Sequence, residues 1–167
     1  MFHNICQNKI MIKIKKLHHS AYRCKDTSDT KKFYVDFLGL KLTKAFIINT
    51  TKTKRKTRVL HSFYGLNDGS AIAFFEDPNT FFEFKNQRDF DLHIAFEVTM
   101  NDLVFYLEKA KKIGIESRGI SDHGFIKSVY FRDPNGYVIE LSAPADHHKQ
   151  QTIKDINKVL KEWELSK

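Results

Sequence analysis

From Leu92 to Val98 the chain alternates strictly, with Leu92, Ile94, Phe96 and Val98 apolar and His93, Ala95 and Glu97 between them. A period of two is that of a β-strand with one face buried, so this run predicts a strand whose other face carries His93 and Glu97. Further strand-like runs lie at 15–24, Leu40 to Asn49, Arg58 to Tyr64, Ser70 to Phe75, Ile115 to Gly119, Phe125 to Phe131 and Tyr137 to Ser142. In two places the period becomes helical. Asp26, Thr27 and Ser28 offer capping oxygens before Phe33, Tyr34, Phe37 and Leu38, and Gly39 ends that helix; Asn101 to Ile113 is a second, ended by Gly114.

The order β-α-β-β-β therefore occurs twice. Sliding the chain by 74 residues lays His19-Ser-Ala-Tyr on His93-Ile-Ala-Phe, and by 75 lays Leu38-Gly-Leu on Ile113-Gly-Ile. A shift of 67 lays Ser62-Phe-Tyr on Val129-Tyr-Phe and Gly69-Ser-Ala-Ile-Ala on Gly136-Tyr-Val-Ile-Glu. Offsets that differ between segments, 74 and 75 early and 67 late, within one order of elements indicate two copies of a module with unequal loops. The expected fold class is α+β: two tandem βαβββ modules, about 15–76 and 91–143, forming a cupped, barrel-like mixed sheet within one domain spanning 15–143. Residues 1–14 read as an N-terminal extension, with Met1 and Met11 both plausible starts. The Phe-rich linker from Glu76 to Asp91 reads as an ordered crossing, and Phe81, Phe82 and Phe84 as packing or pocket-lining groups. Over 144–167 the tail carries Ile153, Ile156, Val159, Leu160 and Trp163 on one helical stripe, expected to dock on the domain or on a second copy.

Composition narrows the class. With 167 residues, 41% hydrophobic and 29% charged, the chain fits one compact domain and excludes fibrous or wholly disordered classes. Two cysteines, Cys6 and Cys24, are too few for a disulfide scaffold or a Cys-rich zinc module, and no apolar run approaches the roughly 20 residues of a membrane span. A cytoplasmic protein with no membrane partner is expected. The net charge of +8 raises nucleic acid as a partner, but the one dense basic run, Lys52 to Arg58, has no aromatic residue between its charges and reads as a solvated hairpin loop. No nucleic-acid partner is expected.

Alternation places His19, Ala21 and Arg23 on one face of the first strand, and the repeat matches His19 to His93. Glu140 sits between Ile139 and Leu141 on the last strand. A carboxylate in so apolar a setting needs a cation, and two imidazoles with one carboxylate form a facial set suited to a divalent transition metal with positions left open for substrate. The competing account pairs Glu140 with Arg23 or Arg132. Alternation also aims Tyr130 and Ser128 at the face of Glu140, and the repeat matches His61 to Ser128, which makes His61, Arg23 and Ser128 candidate substrate or supporting groups. His123, in an Asp-His-Gly turn leading to that strand, is a candidate general acid or base. His18 is expected beneath the first helix, and His147 and His148 as ordinary surface groups.

The segments LHHSAYRCKDTSDTKKFYVDFLGL, DGSAIAFFE, LHIAFEV and SVYFRDPNGYVIEL resemble the vicinal oxygen chelate superfamily, which includes glyoxalase I, bleomycin-resistance proteins, methylmalonyl-CoA epimerase, fosfomycin-resistance enzymes and extradiol dioxygenases. The DPNG turn before a strand bearing Glu is the most specific mark. The resemblance implies that His19, His93 and Glu140 hold the metal. In the lyase and isomerase members the first module supplies a fourth ligand where this chain has Ala73, which favours the His, His, Glu arrangement of the dioxygenases, with Fe(II) ahead of Mn(II), Zn(II) or Ni(II) and Tyr130 beside a metal-bound phenolate. A glyoxalase-like lyase or isomerase and a metal-free ligand-binding protein of the bleomycin-resistance type are the alternatives. A small-molecule substrate is implied, in a monomer or a homodimer, since several relatives exchange modules between subunits.

Overall fold

The computed structural model describes residues 13–146 and 150–167. Its order is β1 (His19–Cys24), α1 (Thr27–Lys31, continued by a wider π-helical turn over Lys32–Phe37), β2 (Lys41–Thr50), β3 (Lys56–Gly65) and β4 (Ala71–Glu76), then β5 (His93–Glu97), α2 (Met100–Ile113), β6 (Ser117–Asp122), β7 (Ile126–Arg132), β8 (Val138–Pro144) and α3 (Ile153–Ser166). The expected α+β fold of two βαβββ modules is what the chain adopts. Each module makes one four-stranded mixed sheet, β1-β4-β3-β2 and β5-β8-β7-β6, with the first and last strands of each module parallel and side by side.

The registers of the two sheets coincide. Ala21 lies opposite Ala73 in the first, as Ala95 lies opposite Glu140 in the second, and His61 opposite Phe75 matches Ser128 opposite Ser142. Ala73 therefore occupies the place of Glu140, as the 67-residue shift indicates. Several strands start later than the pattern suggests: β1 at His19 rather than 15, and β6 at Ser117 rather than Ile115, which instead donates its N–H to the Ala110 carbonyl at 3.0 Å behind α2.

Local signals set the helix ends. Asp26 accepts from the Asp29 N–H, Thr99 and Asp102 form a reciprocal cap, and Gly114 closes α2 at φ +74°, a conformation glycine adopts without a Cβ penalty. Phe33, Tyr34 and Phe37 on one side and Leu103 and Ala110 on the other join Tyr64, Ile72, Phe74, Val129, Phe131, Ile139 and Leu141 in one core. Both modules contribute to it. Phe37 meets Phe131 edge-on at 5.3 Å, the Tyr106 hydroxyl donates to the Leu38 carbonyl at 2.8 Å, and Tyr34 donates to the buried Asp133 at 3.1 Å.

The DPNG turn ties the modules together. Asn135 accepts from the Lys25 N–H at 2.9 Å and donates to Thr30, while its carbonyl and that of Gly136 take the N–H groups of Lys85 and Gln87 at 2.9 Å each. The linker is ordered, but Phe81 and Phe90 are almost fully exposed and Phe84 half so, rather than packed on the sheets. No residue of α3 is buried, so the stripe from Ile153 to Trp163 does not dock on the chain's own domain. No described helix is long and apolar enough to cross a membrane. His147, His148, Cys6 and most of the N-terminal extension lie outside the described residues.

Candidate metal centre

The shared core takes one face of each sheet, and the chemistry sits on the other. On β8 the pleat sends Ile139 and Leu141 into the core and Glu140 to the opposite face, where it is nonetheless only 3% exposed. Its Oε1 accepts from Ser128 at 2.5 Å and from Ser142 at 2.8 Å. Its Oε2 lies 3.0 Å from His93 Nε2. Neither Arg23 nor Arg132 pairs with it: Arg132 binds Glu116, and Arg23 donates to the carbonyls of Asp77 and Thr80.

The hydrogen bonding of His93 fixes its tautomer. Nδ1 lies 2.8 Å from the Asp89 carbonyl oxygen, which can only accept, so Nδ1 carries the proton and Nε2 presents a lone pair to Glu140. Two lone pairs facing each other at this separation require a proton or a cation between them. Ligand distances near 2.1 Å at a right angle give donors about 3 Å apart, so the pair fits two adjacent positions of a divalent metal.

His19 is not brought to this pair. Its Nδ1 is 2.8 Å from His18 Nδ1 and its ring packs edge-on to Phe63 at 5.4 Å, on the first sheet. Among the described residues no group of three or more His, Cys, Asp or Glu side chains is arranged to hold a metal. The cause is the core itself: with one face of each sheet turned into it, the faces carrying His19 and His93 are the ones left outside. His18 is exposed beside His19 rather than beneath the helix.

Tyr130 does share the Glu140 face, directly opposite it across the β7–β8 pair. Burial, and then the Glu140 charge, push its hydroxyl above the ordinary phenol range, so it remains protonated at neutral pH. His123 Nε2 lies 3.0 Å from that hydroxyl, so these two candidates meet. His61 is buried instead in an aromatic cluster, stacked on Phe75 at 3.7 Å with Nδ1 bonded to the Phe74 carbonyl. Arg23 stays with the first sheet, its Nε buried without a hydrogen-bond partner.

Three groups at the site escape the sequence reading. Ser142 was within reach, since it follows Glu140 by two on one strand. Arg118 stacks over Tyr130 with its guanidinium 4.6 Å from the ring centre and pairs with Asp89, whose carbonyl holds His93. Contacts across a loop of this kind leave no periodic signal.

A family model described as the Glyoxalase/Bleomycin resistance protein/Dioxygenase superfamily matches residues 16–141. The chain belongs to this superfamily. Among its relatives, the metallothiol transferase FosB of Bacillus licheniformis is 29% identical over 133 residues, covering 77% of this chain and 75% of FosB. A glyoxylase/bleomycin resistance protein/dioxygenase domain from Frankia sp. EAN1pec has the same fold, with a TM-score of 0.63 at 20% identity over 80% of this chain and all of that one. The fosfomycin resistance protein FosX of Listeria monocytogenes gives 0.56 at 21% identity, covering 86% and 98% of the two chains. A FosX variant structure holds Mn(II) and 1S,2S-dihydroxypropylphosphonic acid. Those of these relatives whose names state one activity are thus a metallothiol transferase and a fosfomycin resistance protein, neither of them a ring-cleaving dioxygenase, and the metal named is manganese rather than iron.

Proposed function

We propose that this chain is a divalent-metal-dependent enzyme, with manganese preferred over iron, that adds a thiol or water to a small oxirane phosphonate of the fosfomycin type. One observation carries the reading: the lone pairs of His93 Nε2 and Glu140 Oε2 converge at 3.0 Å, with His93 Nδ1 and Glu140 Oε1 already bonded elsewhere. His19 of the partner subunit would supply the third ligand in a homodimer, its Nδ1 held by His18 so that Nε2 is the nitrogen on offer. A bound divalent cation supplies Lewis acidity toward an oxygen of the substrate.

The remaining work falls to side chains. Arg118, Tyr130 and Glu140 lie in one transverse row across β6, β7 and β8. A substrate oxygen beside Glu140 therefore places an attached anionic group over Tyr130 and toward the Arg118 guanidinium, which suits a phosphonate. The protonated Tyr130 hydroxyl donates its one proton to that group and accepts from His123 Nε2. As the nucleophile bonds an oxirane carbon and the ring C–O bond breaks, His123 takes the nucleophile's proton and returns it to the released ring oxygen.

The Tyr130–His123 pair is the one observation that favours catechol ring cleavage instead. Incubation of the purified protein with Mn(II) and fosfomycin, with and without L-cysteine or glutathione, followed by phosphorus NMR, decides between them. Loss of the oxirane signal, abolished by Glu140→Gln, is expected. Dioxygen uptake with a catechol and Fe(II), and an intact oxirane, would overturn the proposal in favour of ring cleavage.

A further inference from the structure

The residue that fixes His93 is not on its strand. Asp89 lies in the turn from Arg88 to Leu92, where the N–H groups of Asp91 and Leu92 both bond the Arg88 carbonyl, and it reaches His93 through its main-chain oxygen, four residues back. A main-chain carbonyl can be aimed only by placing its peptide. Here the Asp89 side chain does this: its carboxylate pairs with Arg118 on β6, a strand at the far edge of the sheet from β5. Arg118 is itself held by stacking on Tyr130.

Resting on the metal reading above, we propose that Arg118 and Asp89 form a positioning pair for His93, fixing the peptide whose carbonyl keeps Nδ1 protonated and Nε2 directed at Glu140. The chain of contacts is continuous. It runs from the guanidinium to the Asp89 carboxylate, through the Asp89 backbone to His93 Nδ1, and from Nε2 to Glu140 Oε2. Groups that orient a ligand's second nitrogen change metal affinity by roughly 10–100-fold when removed. Neither residue touches the metal position, so both act on the metal through His93, apart from the contact Arg118 makes with the substrate's anionic group. Arg118 is largely exposed, which separates this role from a contribution to the core.

The test uses nitrogen-labelled protein without metal, in which long-range proton–nitrogen correlations report the protonation of each His93 ring nitrogen. With the proton that must then lie between Nε2 and Oε2 shared with Glu140, the wild type is expected to show a single form in which Nδ1 is protonated and hydrogen-bonded. Arg118→Ala and Asp89→Asn, which break the pair from either side, are expected to mix the two tautomers and to weaken Mn(II) binding by about 10–100-fold in calorimetry, at unchanged melting temperature. Arg118→Lys should restore the tautomer in part, since an ammonium keeps the charge but not the planar stacking. Unchanged ring signals in both variants would overturn the pair as a positioning device. Failure of the wild type to bind Mn(II) would instead remove the metal reading, while the ring signals would still decide whether the pair orients His93.

Discussion

Glu140 shows how far a single residue can be read. Its apolar neighbours announce a buried carboxylate that needs a partner, and alternation names Ser128 and Tyr130 as companions; all three share one face, with Ser128 donating to Oε1. Asp133 is the second buried carboxylate and has another purpose. It accepts from the N–H groups of Asn135 and Tyr137 at 2.9 and 2.8 Å and from Tyr34, and it shapes the DPNG turn. Burial outweighs these bonds and holds its carboxyl above the ordinary value. The sign follows from linkage: a carboxyl raised in the folded state contributes stability that is full below its unfolded value, near 4, and is lost as pH rises through the folded one. In urea titrations between about pH 3 and 7, Asp133→Asn should therefore remove a downward slope present in the wild type. It should also lower stability by about 1–3 kcal/mol at pH 4, because the amide cannot satisfy all the donors that converge there. Equal pH slopes for the two proteins would show that this carboxyl titrates normally.

At the scale of elements, the repeated order of strand, helix and three strands is legible because each element carries its own period and its own stop. Gly39, Gly114 and the capping residues work locally, so no tertiary knowledge is needed to see them. The linker phenylalanines and the stripe on α3 mislead for the opposite reason: amphipathic pattern states that a face is apolar and not what covers it. The DPNG turn stands between these cases, a local motif with a long-range purpose. Gly136 has φ +91°, and a Cβ there would lie 2.6 Å from the Asn86 nitrogen and 2.7 Å from that of Lys85. Gly114 also has a positive φ, +74°, but nothing within 4 Å of the same position. Gly114→Ala should thus cost only the left-handed penalty, about 1–2 kcal/mol, whereas Gly136→Ala should cost about 2–4 kcal/mol because the linker must also move. Chemical denaturation of the two variants measures the difference. Equal losses would mean that the linker yields freely and that the turn does not anchor it.

At the scale of the whole molecule, the chain's own packing separates His19 from His93 and Glu140, the candidates that the sequence groups together. The repeat identifies His19 and His93 as equivalent, and equivalence by duplication says that both face outward from their sheets, not that they face each other. One core claims the inner face of both sheets, so under the proposed metal reading His19 would act as a third ligand only from a second copy. Mixing experiments decide this, because a site shared between chains can be rebuilt from two broken ones. In a homodimer with exchanged ligands, His19→Ala and Glu140→Gln are each inactive and bind metal poorly. Pairing one of each puts both lesions in one site and leaves the other intact. Random reassociation of equal amounts gives half heterodimers with one working site of two, so about a quarter of the wild-type Mn(II) binding and fosfomycin turnover should return. A mixture that regains nothing, although mass spectrometry shows that heterodimers have formed, would place all the ligands within one chain and require the two sheets to close on each other, at the expense of the Phe37–Phe131 and Tyr34–Asp133 contacts that now join them.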